Sequence, residues 1–256
     1  MKPFREERQR LGFVNQSNPT QNFALIMLAL LALNVFRDRG QIPPLKQVVA
    51  VLASFIIATT IHEFSHAFTA MKLGDDTARQ LGRLTFDPMA HFEPYGFFGM
   101  VMISLGYPFI GWGKPVPVVV NRLRGSTPAR RNRSLGLIAL AGPVSNLIQA
   151  GVAAALIRYA NHNHNDLHGL FPYVGWFFSV NILLASFNMI PLPPLDGHKI
   201  LTALLPGFWH PILYAMNRYG FMIIFILFFA TSWLGLPSLT NEMISPPHDL
   251  FTRILL

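Results

Sequence analysis

Charged residues are scarce in this 256-residue sequence, and cysteine is absent. Asp, Glu, Lys and Arg make up 12% of the chain, about half the share that soluble proteins usually carry. The absence of cysteine excludes a disulfide scaffold, and 52% hydrophobic residues exclude a disordered chain. A hydrocarbon core of about 30 Å needs roughly 20 residues of helix, so the long charge-free stretches indicate one polytopic membrane domain. These stretches cover residues 11–36, 47–62, 94–113, 134–157, 167–195, 200–217 and 219–241.

The net charge of +8 comes from Lys and Arg that lie between the apolar runs. One group lies near the N-terminus, a second includes Arg79 and Arg83, and a third falls within residues 122–133. Membrane proteins keep such residues in the loops that stay cytoplasmic. The distribution therefore indicates membrane topology rather than phosphate binding, and we expect no nucleic-acid partner.

The apolar pattern predicts where the chain crosses the membrane. Residues 75–93 are polar and predict loops or short strands, and residues 189–206 predict a proline-rich break followed by a short helix. Spans are expected at about 23–36, 45–73, 134–157, 170–188 and 219–236.

Residues 95–112 are apolar but are interrupted by glycine and proline, which is typical of a re-entrant segment that lines a cavity. Residues 114–120 then predict a short strand. If the re-entrant segment does not cross, the N-terminus and residues 72–133 and 199–218 share one side, which would be cytoplasmic. We therefore expect a multi-pass protein of the plasma or inner membrane with a cytoplasmic N-terminus.

The predicted second span contains the sequence His62-Glu63-Phe64-Ser65-His66. Residues four apart lie on one face of a helix, so both imidazoles can bind one metal ion. Glu63 follows the first ligand and can act as general base on a water molecule there. Because ionisable groups at membrane depth are costly unless they have partners, we interpret this cluster as functional rather than as three unrelated polar residues.

Catalytic zinc normally takes three protein ligands. Sequence spacing alone does not identify the third ligand. The position six residues after His66 is Lys72, which excludes a metzincin-type ligand set. Glu93 lies 27 residues beyond His66 and is one candidate. Asp196, which ends the charge-free stretch 167–195, is the other, although an Asp before Gly is also common in turns.

Three motifs resemble those of the site-2 protease family of intramembrane zinc metalloproteases, in a minimal form without PDZ or CBS domains. They are His62-Glu63-Phe64-Ser65-His66, Ala141-Gly142-Pro143-Val144-Ser145-Asn146, and the Asn188–Gly197 stretch with Leu195-Asp196-Gly197. The similarity covers about residues 45–205. His198 departs from the pattern, because a small residue is common at that position.

The resemblance implies one zinc ion bound by His62, His66 and Asp196, with Glu63 as the catalytic base. It also implies that Asn188 lies near the site, where its amide would hold the substrate or the oxyanion. Asn146 is a second, weaker candidate for such contact, and support of the catalytic helix is an equal alternative.

The complete prediction is an all-α polytopic membrane protein with about six transmembrane helices, a re-entrant segment and short strands near the active site. Residues 1–20 form a cytoplasmic tail, residues 21–238 an intramembrane metalloprotease domain and residues 239–256 a C-terminal tail. The expected partners are a transmembrane protein substrate and the lipid bilayer, and self-association as a homo-oligomer stays open.

Two other functions compete with peptide-bond hydrolysis. One is a catalytically silent membrane adaptor that keeps the metal site, although such a binder needs no Glu63. The other is a metal transporter, in which the His-rich residues 161–168 would form a further binding site for the ion. A solvated loop is the simpler interpretation of those residues.

Overall fold

The computed structural model describes residues 43–107, 109–125, 127–163, 169–225 and 239–256. These residues are mainly helical, which confirms the all-α prediction. The helices in these ranges are α1 (Leu45–Lys72), α2 (Thr77–Gln80), α3 (Pro94–Ser104), α4 (Pro128–His162), α5 (Phe171–Asn188), α6 (Asp196–Leu204), α7 (His210–Asn217), α8 (Gly220–Phe225) and α9 (Leu239–Leu255). Short 3₁₀ turns occur at Pro88–His91, Val120–Arg122 and Gly207–Trp209.

Helix α1 matches the helix predicted for residues 45–73. It begins directly after Pro44, where the fixed proline backbone suits a helix start, and its 28 residues extend about 42 Å at roughly 1.5 Å per residue. The helix ends before Gly74, whose φ of +106° is a left-handed conformation that only glycine adopts without steric cost. A Cβ atom on Gly74 would also lie 2.9 Å from Arg124 Cγ. The turn therefore ends the helix and lets the chain near Arg124 approach it.

Helices α1, α4 and α5 pack against one another and form the centre of the protein. Phe55 of α1 and Val180 of α5 belong to one buried apolar cluster. A second cluster joins α4 to α5 and contains Ala150, Ala153 and Phe178. Alanine on the α4 side allows the two backbones to approach closely, as is common between helices in membranes.

Residues 239–256, which were predicted to be a tail, contain helix α9. Phe251 and Leu255 of this helix pack against the α4–α5 cluster. The apolar side chains near the C-terminus thus contribute to the helical core.

Within the part of the chain that the structure describes, two helices, α1 and α4, are long and apolar enough to cross a membrane. Helix α5 has 18 residues and coincides with the span predicted for 170–188. The predicted tail of residues 1–20 and the predicted span of residues 23–36 lie outside the described residues, as does most of the span predicted for 219–236. The structure thus supports membrane crossing by α1 and α4, and the total of six spans stays a prediction.

Helix α3 and the residues after it lie side by side. A Cβ atom on Gly96 would lie 1.9 Å from the carbonyl oxygen of Trp112, and one on Gly99 would lie 1.9 Å from that of Ile110. The chain therefore turns after α3 and returns along its glycine face. Eleven residues of helix extend only about 16 Å, roughly half of a hydrocarbon core.

The short strand predicted for residues 114–120 is wrong, because none of the described residues forms a β-strand. Proline at 115 and 117 removes two N–H donors on the same edge of the segment, so no regular ladder can form on that edge. The N–H group of Lys114 donates to the carbonyl of His91 (2.8 Å), and that of Val116 donates to the carboxylate of Glu63 (3.2 Å). These two donors, on the other edge, are thus taken by groups that do not belong to another strand.

Candidate metal centre

His62, Glu63 and His66 lie on α1, and all three side chains are buried in the helical core. The two imidazole rings lie edge to face with centroids 4.6 Å apart. This arrangement follows from the helix itself, because residues four apart point to the same side. The helix presents two nitrogen ligands and one carboxylate together.

Asp196 reaches this pair from a distant part of the sequence. It is the first residue of α6 and is also buried. The chain folds tightly just before the helix, since a Cβ atom on Gly197 would lie 2.4 Å from the carbonyl oxygens of Met189 and Ile190. Close packing of α6 on α4 then turns the Asp196 carboxylate toward α1.

The donor atoms of His62, His66 and Asp196 converge on one point. Asp196 Oδ2 lies 3.2 Å from His62 Nε2 and 3.0 Å from His66 Nε2, and the two Nε2 atoms are 3.0 Å apart. Ligands about 2.0–2.1 Å from a tetrahedral zinc ion are separated by roughly 3.3 Å. The triangle is therefore close to the size that zinc requires.

Gly142 of α4 provides the space beside this triangle. A Cβ atom at this position would lie 2.5 Å from Nε2 of both His62 and His66. Any larger residue would thus fill the place where an ion contacts the two nitrogens. The donor set and this space together fit a zinc ion.

Both imidazoles are oriented by hydrogen bonds at the nitrogen that faces away from the centre. His66 Nδ1 donates to the carbonyl oxygen of Ile138 at 2.6 Å, and a carbonyl can only accept. His62 Nδ1 lies 2.6 Å from Asn146 Oδ1. With the proton on Nδ1 in each ring, the Nε2 lone pair is left for a metal ion, as is usual for histidine ligands.

The orientation of Asn146 is set in turn by Asn181, a residue that was not among the predicted site residues. Asn146 Nδ2 donates to Asn181 Oδ1 (3.0 Å) and contacts the carbonyl of Ala58 (3.4 Å), so that Oδ1 faces His62. Asn181 Nδ2 donates to the carbonyl of Phe177 at 3.0 Å. Both asparagines are fully buried. Asn181 is one of two asparagines in the charge-free stretch 167–195, and its place among apolar residues was the available signal, because a polar residue at membrane depth needs a partner.

Glu63 lies beside the triangle rather than within it. Its Oε2 atom accepts the N–H of Val116, and its side chain lines the same cavity as the three donor residues. This cavity has a volume of about 330 Å³ and mostly apolar walls. Such a space admits a peptide segment next to a carboxylate that can accept a proton.

The remaining candidate residues occupy different places. Asn188 lines the cavity and donates to the carbonyl of Leu184 at 3.0 Å. Asn146 lies behind His62, as described above. Glu93 caps helix α3, where its Oε2 accepts the N–H of Gly96 at 2.6 Å. The acid that lies with His62 and His66 is therefore Asp196 and not Glu93. Residues 164–168 of the His-rich stretch lie outside the described residues.

Comparison with known proteins places the chain in a family. The family described as Peptidase family M50 matches residues 157–231. A Bacillus subtilis (strain 168) protein named "Putative zinc metalloprotease YwhC" is 36% identical over 197 residues, which cover 75% of this chain and 85% of that protein. "Putative zinc metalloprotease Rip2" of Mycobacterium tuberculosis (strain ATCC 25618 / H37Rv) is 30% identical over 193 residues, 73% of this chain and 69% of that protein. No solved structure matches the chain. With a relative of this similarity along most of its length, the chain belongs to peptidase family M50.

Proposed function

We propose that this protein is a zinc metalloendopeptidase that hydrolyses peptide bonds within or next to transmembrane helices of other membrane proteins. The main support is the arrangement of His62, His66 and Asp196 in a triangle with Glu63 beside it. All four side chains are buried between apolar helices. The names of the family relatives add support, since those proteins are described as zinc metalloproteases.

Each residue has a separate role in the proposed reaction. His62, His66 and Asp196 hold one zinc ion, which supplies Lewis acidity toward the scissile carbonyl and toward water. Glu63 accepts the proton of the attacking water and passes it to the leaving amine. Asn188, which lines the cavity, contacts the substrate or the developing oxyanion through its amide.

Asn146 holds His62 rather than the substrate in this proposal. Its carboxamide oxygen is used by His62 Nδ1, and its nitrogen is used by Asn181. A residue with both ends engaged in buried hydrogen bonds is suited to fixing a ligand.

The proposed membrane arrangement is multi-pass, with about six spans and a cytoplasmic N-terminus. Helices α1 and α4 support it because they have the length and apolarity of spans. The α3 helix and its return along Gly96 and Gly99 support a re-entrant segment, since the helix is too short to cross. We place the metalloprotease domain at residues 21–238, with helix α9 packed against its core.

A substrate helix must unwind before cleavage, because a helical amide is hydrogen-bonded and sterically shielded. Glycine, asparagine or proline in the substrate span lowers the cost of unwinding. The proposed substrate is therefore a transmembrane segment with such a residue near the cleaved bond.

A silent adaptor or a metal transporter would share the donor triangle. An adaptor has no need for Glu63, whereas here this carboxylate is buried beside the ligands and lines the same cavity. A transporter must release its ion. One zinc ion per chain that remains after dialysis supports the peptidase, and freely exchanging zinc supports transport.

The deciding experiment compares membrane-peptide fragments produced by the wild-type protein and by Glu63→Gln in otherwise identical membranes. We expect Glu63→Gln to retain zinc and to lose cleavage, because glutamine keeps the shape but does not accept the proton. Glu93→Gln is the matched control, since the Glu93 side chain caps α3 and a glutamine oxygen can still accept from Gly96. Equal fragments from Glu63→Gln and wild type would refute the proposed mechanism.

A further inference from the structure

Asp75 is a buried acidic residue that lies outside the zinc site. It follows the Gly74 turn at the end of α1, and its exposed fraction is 0%. A fully buried carboxylate is costly unless it has hydrogen-bond partners. The hydrogen-bond partners of Asp75 therefore indicate the role of this buried carboxylate.

The two carboxylate oxygens of Asp75 bind different parts of the chain. Oδ1 accepts hydrogen bonds from the backbone N–H (3.1 Å) and the hydroxyl of Thr77. Oδ2 accepts the backbone N–H of Val119, which is 44 residues away in sequence. Arg122 in turn donates to the Thr77 hydroxyl at 2.9 Å. Asp75 thus joins the end of α1 to the chain around Val119.

The segment of residues 114–119 is held by backbone hydrogen bonds at three points. Lys114 N–H donates to the carbonyl of His91, Val116 N–H to Glu63 Oε2, and Val119 N–H to Asp75 Oδ2. Proline at 115 and 117 fixes φ at two of the intervening positions. A shift at Val119 therefore moves Val116, because only two residues, one of them a proline, separate them.

We propose that Asp75 is a positioning residue for Glu63. By anchoring Val119, it places the Val116 N–H group where that group fixes the carboxylate of the catalytic base. This inference rests on the proposed peptidase function. It adds a residue that contacts neither the zinc ligands nor the cavity.

The test compares Asp75→Asn with Asp76→Asn, a neighbouring variant of the same chemical change. Asparagine at position 75 presents an NH₂ group to one of its partners, and both Val119 and Thr77 offer N–H donors, so one bond is lost. Asp76 is the control because, among the described residues, its half-exposed carboxylate has only a 3.8 Å contact with Arg79. Both variants are purified in detergent with the full chain, and zinc content is measured in each.

Hydrogen exchange reports the anchoring without depending on cleavage. We expect amides in residues 114–119 to exchange about tenfold faster in Asp75→Asn, the factor that the loss of one hydrogen bond produces. Asp76→Asn should match the wild type. Unchanged exchange at Val116 in both Asp75→Asn and Val119→Pro, which removes the N–H donor itself, would overturn the proposal whatever the enzyme cleaves.

Kinetics then separate positioning from general destabilisation. The probe is a synthetic poly-leucine transmembrane peptide with a central Asn-Gly pair and a fluorophore–quencher pair. We expect kcat to fall about 10- to 100-fold in Asp75→Asn, the loss that a misplaced catalytic group causes, with KM and zinc content unchanged. A loss of zinc, or faster exchange with an unchanged kcat, would refute the positioning role.

Two further comparisons test the same link, and the first of them does not require Asp75→Asn to fold. Val119→Pro deletes the N–H donor while leaving Asp75 in place, and it should reproduce the fall in kcat. In Glu63→Asp the shorter carboxylate cannot reach Val116, so adding Asp75→Asn should lower kcat little further. Full additivity of the two changes would contradict the proposal.

Failure of the wild type to cleave the probe or any membrane peptide would instead refute the proposed function. The hydrogen-exchange result would still show whether Asp75 anchors residues 114–119.

Discussion

His62 Nδ1 and Asn146 Oδ1 lie 2.6 Å apart in the buried centre of the protein. This hydrogen bond directs the opposite nitrogen of His62 to the donor triangle. Asn146→Ala should therefore lower zinc affinity about 10- to 100-fold, the usual effect of losing a partner of a metal ligand. Chelator competition on the purified protein measures this. Asn188→Ala is the control, because the Asn188 amide donates to the carbonyl of Leu184 rather than to a ligand, and it should leave zinc affinity unchanged.

Asn181 should have a smaller effect through the same hydrogen bonds. Asn181→Leu removes the acceptor that holds the Asn146 amide, but it leaves the bond between Asn146 and His62 possible. We expect a loss of zinc affinity between that of Asn146→Ala and that of the wild type. In the double variant the two losses should not add, since both act through His62. Full additivity would show that Asn181 acts by another route.

Asp196→Asn should weaken zinc binding strongly, because a neutral amide replaces the anionic ligand. The control is Lys199→Gln, which changes the half-exposed partner of Asp196 Oδ1 at 3.3 Å but leaves the ligand atom in place. Zinc content after extended dialysis separates the two variants. Retention of a full zinc equivalent by Asp196→Asn would exclude Asp196 as a ligand and return Glu93 as a candidate.

Gly142→Ala tests the space next to the triangle. The added methyl group would lie 2.5 Å from both histidine Nε2 atoms, so we expect loss of zinc with little loss of helix. Gly151→Ala is the matched control on the same helix, since its methyl group would meet only Leu255 Cδ2 at 3.8 Å. Zinc content and circular dichroism measure the two effects. Normal zinc content in Gly142→Ala would place the ion elsewhere.

Asp75 should make stability depend on pH in the acidic range. Burial by itself would raise the pKa of Asp75, but hydrogen bonds from Thr77 and Val119 and the charge of Arg122 hold the pKa below its usual value. Because the folded-state pKa is lowered, the stabilisation is present above about pH 4 and is lost as the pH falls through the folded-state pKa. The Tm difference between wild type and Asp75→Asn should therefore be largest near neutral pH and shrink below about pH 4. A constant difference across this range would show that the carboxylate charge contributes nothing.

The sequence was most informative where geometry is local. A helix repeats its direction after four residues, so the spacing of His62 and His66 placed both rings on one face before any tertiary contact was known. The start of α1 after Pro44 and its end before Gly74 followed from the same local rules. Low charge content predicted the membrane class, because the cost of burying charge in hydrocarbon applies to the whole chain.

Local rules failed for residues 114–120. Their composition favoured a strand, but strand formation depends on a neighbouring chain that offers matching groups. The N–H group of Val116 faces Glu63, and that of Val119 faces Asp75. A hydrogen bond to a side chain that is distant in sequence leaves no periodic pattern from which it could be read.

The sequence by itself determined the helical pair of histidines, the adjacent Glu63 and the membrane setting, since each depends on spacing or composition along one segment. Tertiary structure decided which acid joins the histidines. Asp196 and Glu93 were both available from spacing, and only the packing of α6 on α4 brings Asp196 to within 3.2 Å of His62, 134 residues away. The contacts of Asn181 and Asp75 were decided in the same way, because proximity between distant segments depends on how whole helices pack.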